Sequence, residues 1–382
     1  MYSELRQITD RVRAAQARGT PLRIRGGGSK DFYGQSLHGE PLDVGALRGI
    51  ISYEPSELVV TVRAGTPLSE LQAALAEKGQ HLAFEPPCFG AGGATTCGGM
   101  VAAGLSGPAR ANAGAVRDFV LGVTLLNGRA ELLTFGGQVI KNVAGYDVSR
   151  LMVGALGTLG VLTEISLKVL PRAPAEATLA CIGLSQQTAL DLLHRWSGQP
   201  LPLNASCWLV ETHAGATRGH LYLRLRGAVA AVEAACPRLL ADLRALGGEA
   251  TRMDNTMAAP DWNACRDQTL PFFQERRDEL GLWRLSVPQT TPALELPFDT
   301  LVEWHGGQRW FQAPLSALEQ LRQCAAAAGG TATLFRAPAG ADTSSSQRFS
   351  PLQSALSRIH QQLKHEFDPA GIFNRGRMYA EF

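Results

Sequence analysis

No stretch of this 382-residue chain stays apolar for the ~20 residues that cross a bilayer. Nothing in it therefore reads as a membrane-spanning helix, and Met1-Tyr2-Ser3-Glu4-Leu5 opens a polar helix rather than a signal peptide. The expectation is a cytoplasmic protein. Charge imbalance is also missing: the net charge is +2 with 18% charged residues, too even for a nucleic-acid footprint. The seven cysteines are odd in number and never spaced Cys-x-x-Cys, which argues against an iron–sulfur or zinc site within the chain. The eight histidines are dispersed, and His360 and His365, five apart, do not share a helical face, so no metal site is expected. Two phosphate signatures are absent as well. There is no Gly-x-Gly-x-x-Gly after a strand and no Gly-x-x-x-x-Gly-Lys-Ser/Thr, which removes support for a Rossmann fold or a P-loop enzyme, and Gly154-x-x-Gly157-x-x-Gly160 has the wrong spacing for either.

Glycine is what the chain has in excess, with 41 residues concentrated before position 160. Leu22 and Ile24 alternate as a short strand that runs into Arg25-Gly26-Gly27-Gly28-Ser29-Lys30. A backbone without Cβ can turn successive N–H groups into one concavity that holds an anion such as phosphate, and Ser29 and Lys30 add a hydroxyl and a charge. Alone, such a run reads more readily as a flexible surface turn. A second small-residue stretch answers it at 90–114, including Thr95, Gly98, Gly99 and Gly114, where an accessible backbone suits close wrapping of a flat, extended ligand. A ligand held by two segments about 65 residues apart in sequence must be large.

At this length two domains are expected. Residues 3–18 carry Leu5, Ile8, Val12 and Ala15 at helical spacing and stop at Gly19. Short strands are expected at 42–44, 50–53 and 58–63, and a helix at 68–78 behind Pro67. Residues 119–126 and 130–135 around Asn127-Gly128 read as a hairpin with a primed turn. A short helix at 147–153 precedes a strand at 161–169, alternating as if buried mainly on one face. After Pro171 the strand and helix alternations at 221–226, 229–246, 250–253, 282–287, 301–304, 315–328 and 331–335 suggest an α+β unit with a largely antiparallel sheet. The Ala, Gly and Ser-rich residues 337–346 read as a mobile linker before a last helix at 352–367.

Four blocks in this order resemble FAD-binding domains of the vanillyl-alcohol oxidase/p-cresol methylhydroxylase (PCMH) type: Arg25 to Ser29; Ala94-Thr95-Thr96-Cys97-Gly98-Gly99-Met100-Val101; Gly114-Ala115-Val116-Arg117-Asp118-Phe119-Val120; and Gly157-Thr158-Leu159-Gly160-Val161-Leu162-Thr163-Glu164. Glu85-Pro86-Pro87, Lys141 to Asp147, Ser149 to Gly154 and the tail Phe367-Asp368-Pro369-Ala370-Gly371-Ile372-Phe373-Asn374-Arg375-Gly376-Arg377-Met378 are similar to the smaller FAD-binding subunits, type E, of bacterial glycolate dehydrogenases (glycolate oxidases). The resemblance implies an α+β chain: a two-part PCMH-type FAD-binding domain at 1–171, a smaller ferredoxin-like cap domain at 172–346, and a C-terminal helix and tail at 347–382 that return to the FAD domain.

It also implies cofactor-binding roles for Arg25, Gly26, Gly27, Gly28, Ser29 and Lys30 at the FAD diphosphate, and for Pro87, Thr95, Gly98, Gly99, Gly114 and Val161 further along. Many relatives carry a covalently linked histidine in the Gly-rich loop. Ser29 stands there here, so noncovalent FAD is expected, with Cys97 read as a packed thiol. The implied partners are a larger flavoprotein subunit, an iron–sulfur subunit and a small 2-hydroxy-acid substrate, with electrons passed toward quinone as glycolate becomes glyoxylate. The His-x-Gly-Asp-Gly-Asn-x-His motif of the larger 2-hydroxy-acid dehydrogenases is missing, and no catalytic residue can be named. A self-sufficient D-lactate-like dehydrogenase using Arg309 with His305 is the rival reading, unless both simply lie on a solvated loop. A non-catalytic flavin-binding scaffold is the third.

Overall fold

Leu5, Ile8, Val12 and Ala15 all turn inward on the helix Ser3–Arg18, and Leu42, Val44, Leu126 and Phe373 meet them in one apolar cluster. The computed structural model describes residues 3–90, 94–137, 147–213, 216–274, 278–341 and 347–381. Residues 91–93 of the second glycine-rich stretch, the motif residues 141–146 and residues 342–346 of the expected linker lie outside the described residues. Two compact units form. The first takes Met1–Ser106, Gly114–Pro171 and Asp342–Phe382; the second takes Gly107–Ala113 and Arg172–Ala341.

The strands of the first unit are, in chain order, β1 (Leu22–Arg25), β2 (Glu40–Asp43), β3 (Ile50–Glu54), β4 (Val59–Arg63), β5 (Gln80–His81), β6 (Val120–Leu126), β7 (Leu132–Gly136), β8 (Val161–Lys168) and β9 (Leu170–Pro171). β1 and β2 pair in parallel, and a five-stranded antiparallel sheet runs in the order β3-β4-β8-β6-β7. β8 sits at its centre and is buried on both faces, not mainly on one as its alternation suggests, because Thr163 and Ser166 find partners inside: Thr163 Oγ1 donates to Thr124 O at 3.0 Å, and Ser166 lies 2.9 Å from Thr61.

The hairpin β6-β7 exists, but its turn is not the expected two-residue primed type. Leu126 pairs with Leu132 across a five-residue loop. Asn127 Oδ1 accepts from the N–H groups of Arg129 and Glu131, both at 2.9 Å, and Ala130 takes the left-handed conformation at φ 59°. Gly128 is needed for a different reason: a Cβ there would stand 2.5 Å from Asp368 Oδ1.

The second unit is one eight-stranded sheet of β10 (Ala175–Ile182), β11 (Leu203–His213), β12 (Ala216–Gly227), β13 (Glu249–Met253), β14 (Leu280–Ser286), β15 (Asp299–Glu303), β16 (Gln308–Pro314) and β17 (Thr331–Arg336). Its order is β13-β10-β12-β11-β15-β16-β14-β17, with every pairing antiparallel. β10 to β13, with the helices Gln186–Ser197 and Val229–Ala245 between them, make a ferredoxin-like βαββαβ half. β14 to β17 repeat the same strand order with the helix Leu318–Ala327, and the halves join edge to edge through β11 and β15. Leu179, Leu221, Leu223 and Leu225 pack under Trp196, Leu239 and Leu243 of the covering helices, each buried side chain contributing about 1.5–3 kcal/mol. Among the described residues, no helix is long and apolar enough to cross a membrane.

Candidate functional site

β1 ends where the glycines begin, because the partner strand β2 leaves after Asp43 and only Val44 N still bonds back, to Arg25 O at 2.9 Å. Past that point the N–H groups of Gly26, Gly27, Gly28 and Ser29 find no acceptor among the described residues. The glycines are there for contact as much as for torsion. A Cβ on Gly27 would stand 1.6 Å from Ala94 O, and one on Gly26 would stand 2.5 Å from Thr96 Oγ1. Gly28 has φ 72°, and a Cβ there would press on the Arg25 guanidinium at 2.3 Å. The first glycine-rich segment thus lies directly on the second.

Together they line a cleft within the first unit. Its floor is the loop Arg25 to Asp31, with Gly98, Gly99 and Ala102 of the helix Cys97–Ala103 opposite. Ile24, Val44, Leu156 and Leu162 make an apolar wall, and Asn374 and Arg377 of the tail close one side. The neighbouring glycines of the short helix differ. Gly98 would put a Cβ 2.8 Å from that of Ala64, so it is a packing residue, whereas a Cβ on Gly99 would meet only Thr96 Oγ1 at 3.2 Å. The N–H groups of Cys97, Gly98 and Gly99 are committed to Thr66 O, Ala64 O and Thr96 Oγ1. This helix can therefore offer a ligand close approach but no amide donors, which places the donors in the loop 26–29.

Lys30 adds a cation at the same place. Its Nζ lies 3.4 Å from Ser29 Oγ and 3.5 Å from Thr95 Oγ1, over the Phe89 ring at 5.7 Å, and pairs with no carboxylate among the described residues. Burial brings its ammonium down to about 8. Thr95 is buried, 3.1 Å from Ser29 Oγ, and donates to Phe89 O. Arg25 is the exposed member, bonded to Asp31 at 3.3 Å. Four residues singled out from the sequence lie off the cleft lining, Thr95 just behind Ser29 being the first. Pro87 is buried in the loop 82–90, Gly114 turns at φ 103° beside Asp118, and Val161 opens β8 inside the apolar core. Cys97 is fully buried, which pushes its thiol up to about 12.

Sequence reasoning quoted the tail without seeing its work. Arg377 is 5% exposed, and its guanidinium donates to the carbonyls of Lys30, Asp31, Tyr33 and Gln35, while its own carbonyl accepts from Gln35 N. A cation surrounded by the carbonyls of the residues just beyond the glycines fixes that turn and leaves positive charge under the cleft. Burial lowers the guanidinium to about 10. Asn374 bridges two walls: Oδ1 accepts from Ile24 N at 2.7 Å, and Nδ2 donates to Leu156 O at 2.6 Å. Behind it, Asp368 accepts from Ile372 N, Phe373 N and Lys364 Nζ, and Lys364 also donates to Thr158 O and Phe373 O. The signal is in the string Asp368 to Arg377, of which Asp368, Asn374 and Arg377 are buried.

The Arg309 and His305 pair of the rival reading is neither a catalytic pair poised in a cleft nor a solvated loop. Arg309 is wholly buried and donates to Gly306 O, Thr291 O and Pro292 O. His305 is buried, its Nδ1 is 2.9 Å from Ser206 Oγ, and burial lowers the imidazole to about 4. Both stabilise the turn after β15, where Trp304 and His305 each take φ 54°. Trp304 is itself held by a bond to Gly107 O and by Arg110 at 4.4 Å over its ring. Among the described residues, no cluster of His, Cys, Asp and Glu could hold a metal.

A family described as FAD binding domain matches residues 3–136. Glycolate oxidase subunit GlcE of Escherichia coli (strain K12) is 44% identical over 374 residues, covering 98% of this chain and 97% of that protein. Glycolate oxidase subunit GlcD of Bacillus subtilis (strain 168) is 31% identical over 151 residues, 38% of this chain and 32% of that one. Among solved structures, p-cresol methylhydroxylase with substrate bound superposes with a TM-score of 0.70 over 99% of this chain and 88% of that one. At 13% identity, that likeness shows a shared fold.

Proposed function

The chain belongs to the family of glycolate oxidase subunit GlcE, and from that premise we propose that it is the FAD-binding subunit of a heteromeric complex that oxidises glycolate to glyoxylate. A larger flavoprotein subunit and an iron–sulfur subunit complete the complex and pass electrons toward quinone, and contact with the inner membrane runs through them. The observation that carries the reading is the set of uncommitted N–H groups at Gly26 to Ser29, beside Lys30 and over Arg377, in a cleft that Gly99 leaves open. Adjacent donors with no acceptor among the described residues suit a diphosphate.

FAD fits these residues, and when bound it supplies the two-electron acceptor that hydroxy-acid oxidation needs. The chain's own part is to hold and orient it. The loop amides and Lys30 neutralise the phosphates, Arg377 keeps the loop in place, and Ile24, Val44 and Leu162 exclude water. The cofactor is noncovalent in this reading. Ser29 cannot form the linkage made by a histidine, and Cys97 is inaccessible and held as a thiol by burial. Neither Arg309 nor His305 supplies a base, so oxidation is assigned to the assembled complex. Co-expression with the large flavoprotein and iron–sulfur subunits is expected to give glycolate-dependent dye reduction that disappears when this chain is omitted. Dye reduction by the isolated chain at the rate of the complex would instead make it a self-sufficient dehydrogenase.

A further inference from the structure

The second unit holds a cavity of about 810 Å³ that the reading above leaves unused, within the ~300–1,000 Å³ typical of ligand sites. Strand alternation creates it. Leu179, Trp208, Leu221 and Leu223 point into the core beneath the covering helices, so Thr178, Cys207 and Tyr222, one residue away on the same strands, point to the other face. The helix Asn255–Asp267 roofs that face with Asp261, Trp262 and Cys265.

The lining has one sign of charge. Glu211, Asp261 and Asp299 face the space, and none of the described residues lining it is Lys, Arg or His. Glu211 is fixed in position: its Oε2 accepts from the Tyr222 hydroxyl at 3.2 Å and lies 3.0 Å from Nδ1 of buried His220. The Asp261 carboxyl is raised, first by burial and then by the charge on Glu211, so the two acids act on each other across one space. Tyr222, Phe272 and Phe298 supply aromatic walls, whose faces attract cations, while the Trp262 ring already carries the buried Arg224 guanidinium at 4.9 Å. Thr300 Oγ1 lines the cavity buried and without a hydrogen-bond partner. This chemistry repels a small hydroxy acid.

The rim adds an independent feature. Met257 is 69% exposed, one of the few large apolar side chains that face solvent. Met257 precedes Asp261 by four residues and shares its helical face. A free small cation would need no such rim, and the volume is several times that of one side chain. We propose that this cavity docks a partner subunit, which inserts an arginine or lysine side chain between Glu211 and Asp261 and covers Met257 with apolar neighbours. The proposal rests on the reading of the chain as a subunit of a complex.

The test replaces Met257 with a photo-crosslinking amino acid in the full chain, co-expressed with the large flavoprotein and iron–sulfur subunits. The linked peptide, identified by mass spectrometry, should come from one of those subunits and carry Arg or Lys within a few residues of the link. Asp261→Asn, which leaves the His220 and Tyr222 network intact, and the double variant with Glu211→Gln should lower crosslink yield and complex affinity at least tenfold with unchanged flavin content. A link to a second copy of this chain, to a segment without basic residues, or with unchanged yield in both variants overturns the proposal. If the wild-type complex forms and Met257 links to nothing, docking here is wrong while the complex reading stands. If the flavin-loaded chain forms no complex at all, both fall.

Discussion

The cleft of the first unit is walled by amides that find no acceptor among the described residues, with Lys30 and Arg377, whereas the cavity of the second is walled by Glu211, Asp261 and Asp299. Each region is built from the same economy of burial, yet they can hold only ligands of opposite charge. The difference also shows in how each disposes of its buried polar groups. In the cleft the backbone keeps its donors free and side chains brace it from behind. In the cavity the side chains face inward and brace one another, as His220 and Tyr222 do with Glu211. In the proposed reading, anion binding is a backbone property and cation attraction a side-chain one.

Breaking the first half of the comparison takes one methyl-sized intrusion. Gly27→Val brings a Cβ to within 1.6 Å of Ala94 O, backbone against backbone, so the two glycine-rich segments must separate. The expected result is complete loss of flavin and a destabilisation of about 4 kcal/mol or more in the first unit, read by absorbance and thermal unfolding. Retained flavin would mean that the segments do not need to touch.

Arg377→Met is next in size. It strands the carbonyls of Lys30, Asp31, Tyr33 and Gln35 at about 1–3 kcal/mol for each group left unpaired and unsolvated. FAD affinity should drop at least tenfold by fluorescence titration, with Arg377→Lys recovering part of it. Equal affinity in the Met variant would show that the tail does not support the loop.

Gly98→Ala and Gly99→Ala separate fold from ligand. The first crowds Ala64 and should lower thermal stability. The second has only Thr96 Oγ1 nearby and gains up to about 1 kcal/mol of helix propensity, so the folded apo protein should be no less stable while FAD binding weakens. Identical behaviour of the two variants would dissolve the distinction between packing glycine and cleft glycine.

The smallest effect is a pH dependence. Burial depresses Lys30 from 10.5 to about 8, so the ligand-free folded state binds fewer protons than the unfolded chain between those values. The cost of burying its charge is therefore fully present below pH 8 and is relieved as pH rises toward 10.5. Phosphates favour the ammonium, so FAD affinity should be highest below about pH 8 and fall above it. Lys30→Met should flatten that profile, and an unchanged profile would remove Lys30 from the site.

Much of this was legible in the chain. The glycine blocks announce themselves by composition, and the helix 3–18 by spacing, because both depend on neighbours in sequence. What was hidden depends on distant ones. Gly98 and Gly99 look alike until Ala64 is placed beside one of them, and Arg377 reads as a charged tail residue until four carbonyls from 30–35 surround it. Arg309 and His305 looked solvated because nothing local shows that Thr291, Pro292 and Ser206 will enclose them. β10, β11 and β16 are hard to read in the sequence because the buried polar residues Thr178, Ser206 and Gln308 interrupt their apolar patterns.

The central claim, that the first unit holds FAD by contacts and not by a bond, is tested most directly by denaturing the purified protein in acid and identifying the flavin. The account predicts FAD in the supernatant at one molecule per chain. An extract containing only FMN, or flavin that stays with the precipitated protein, would contradict it.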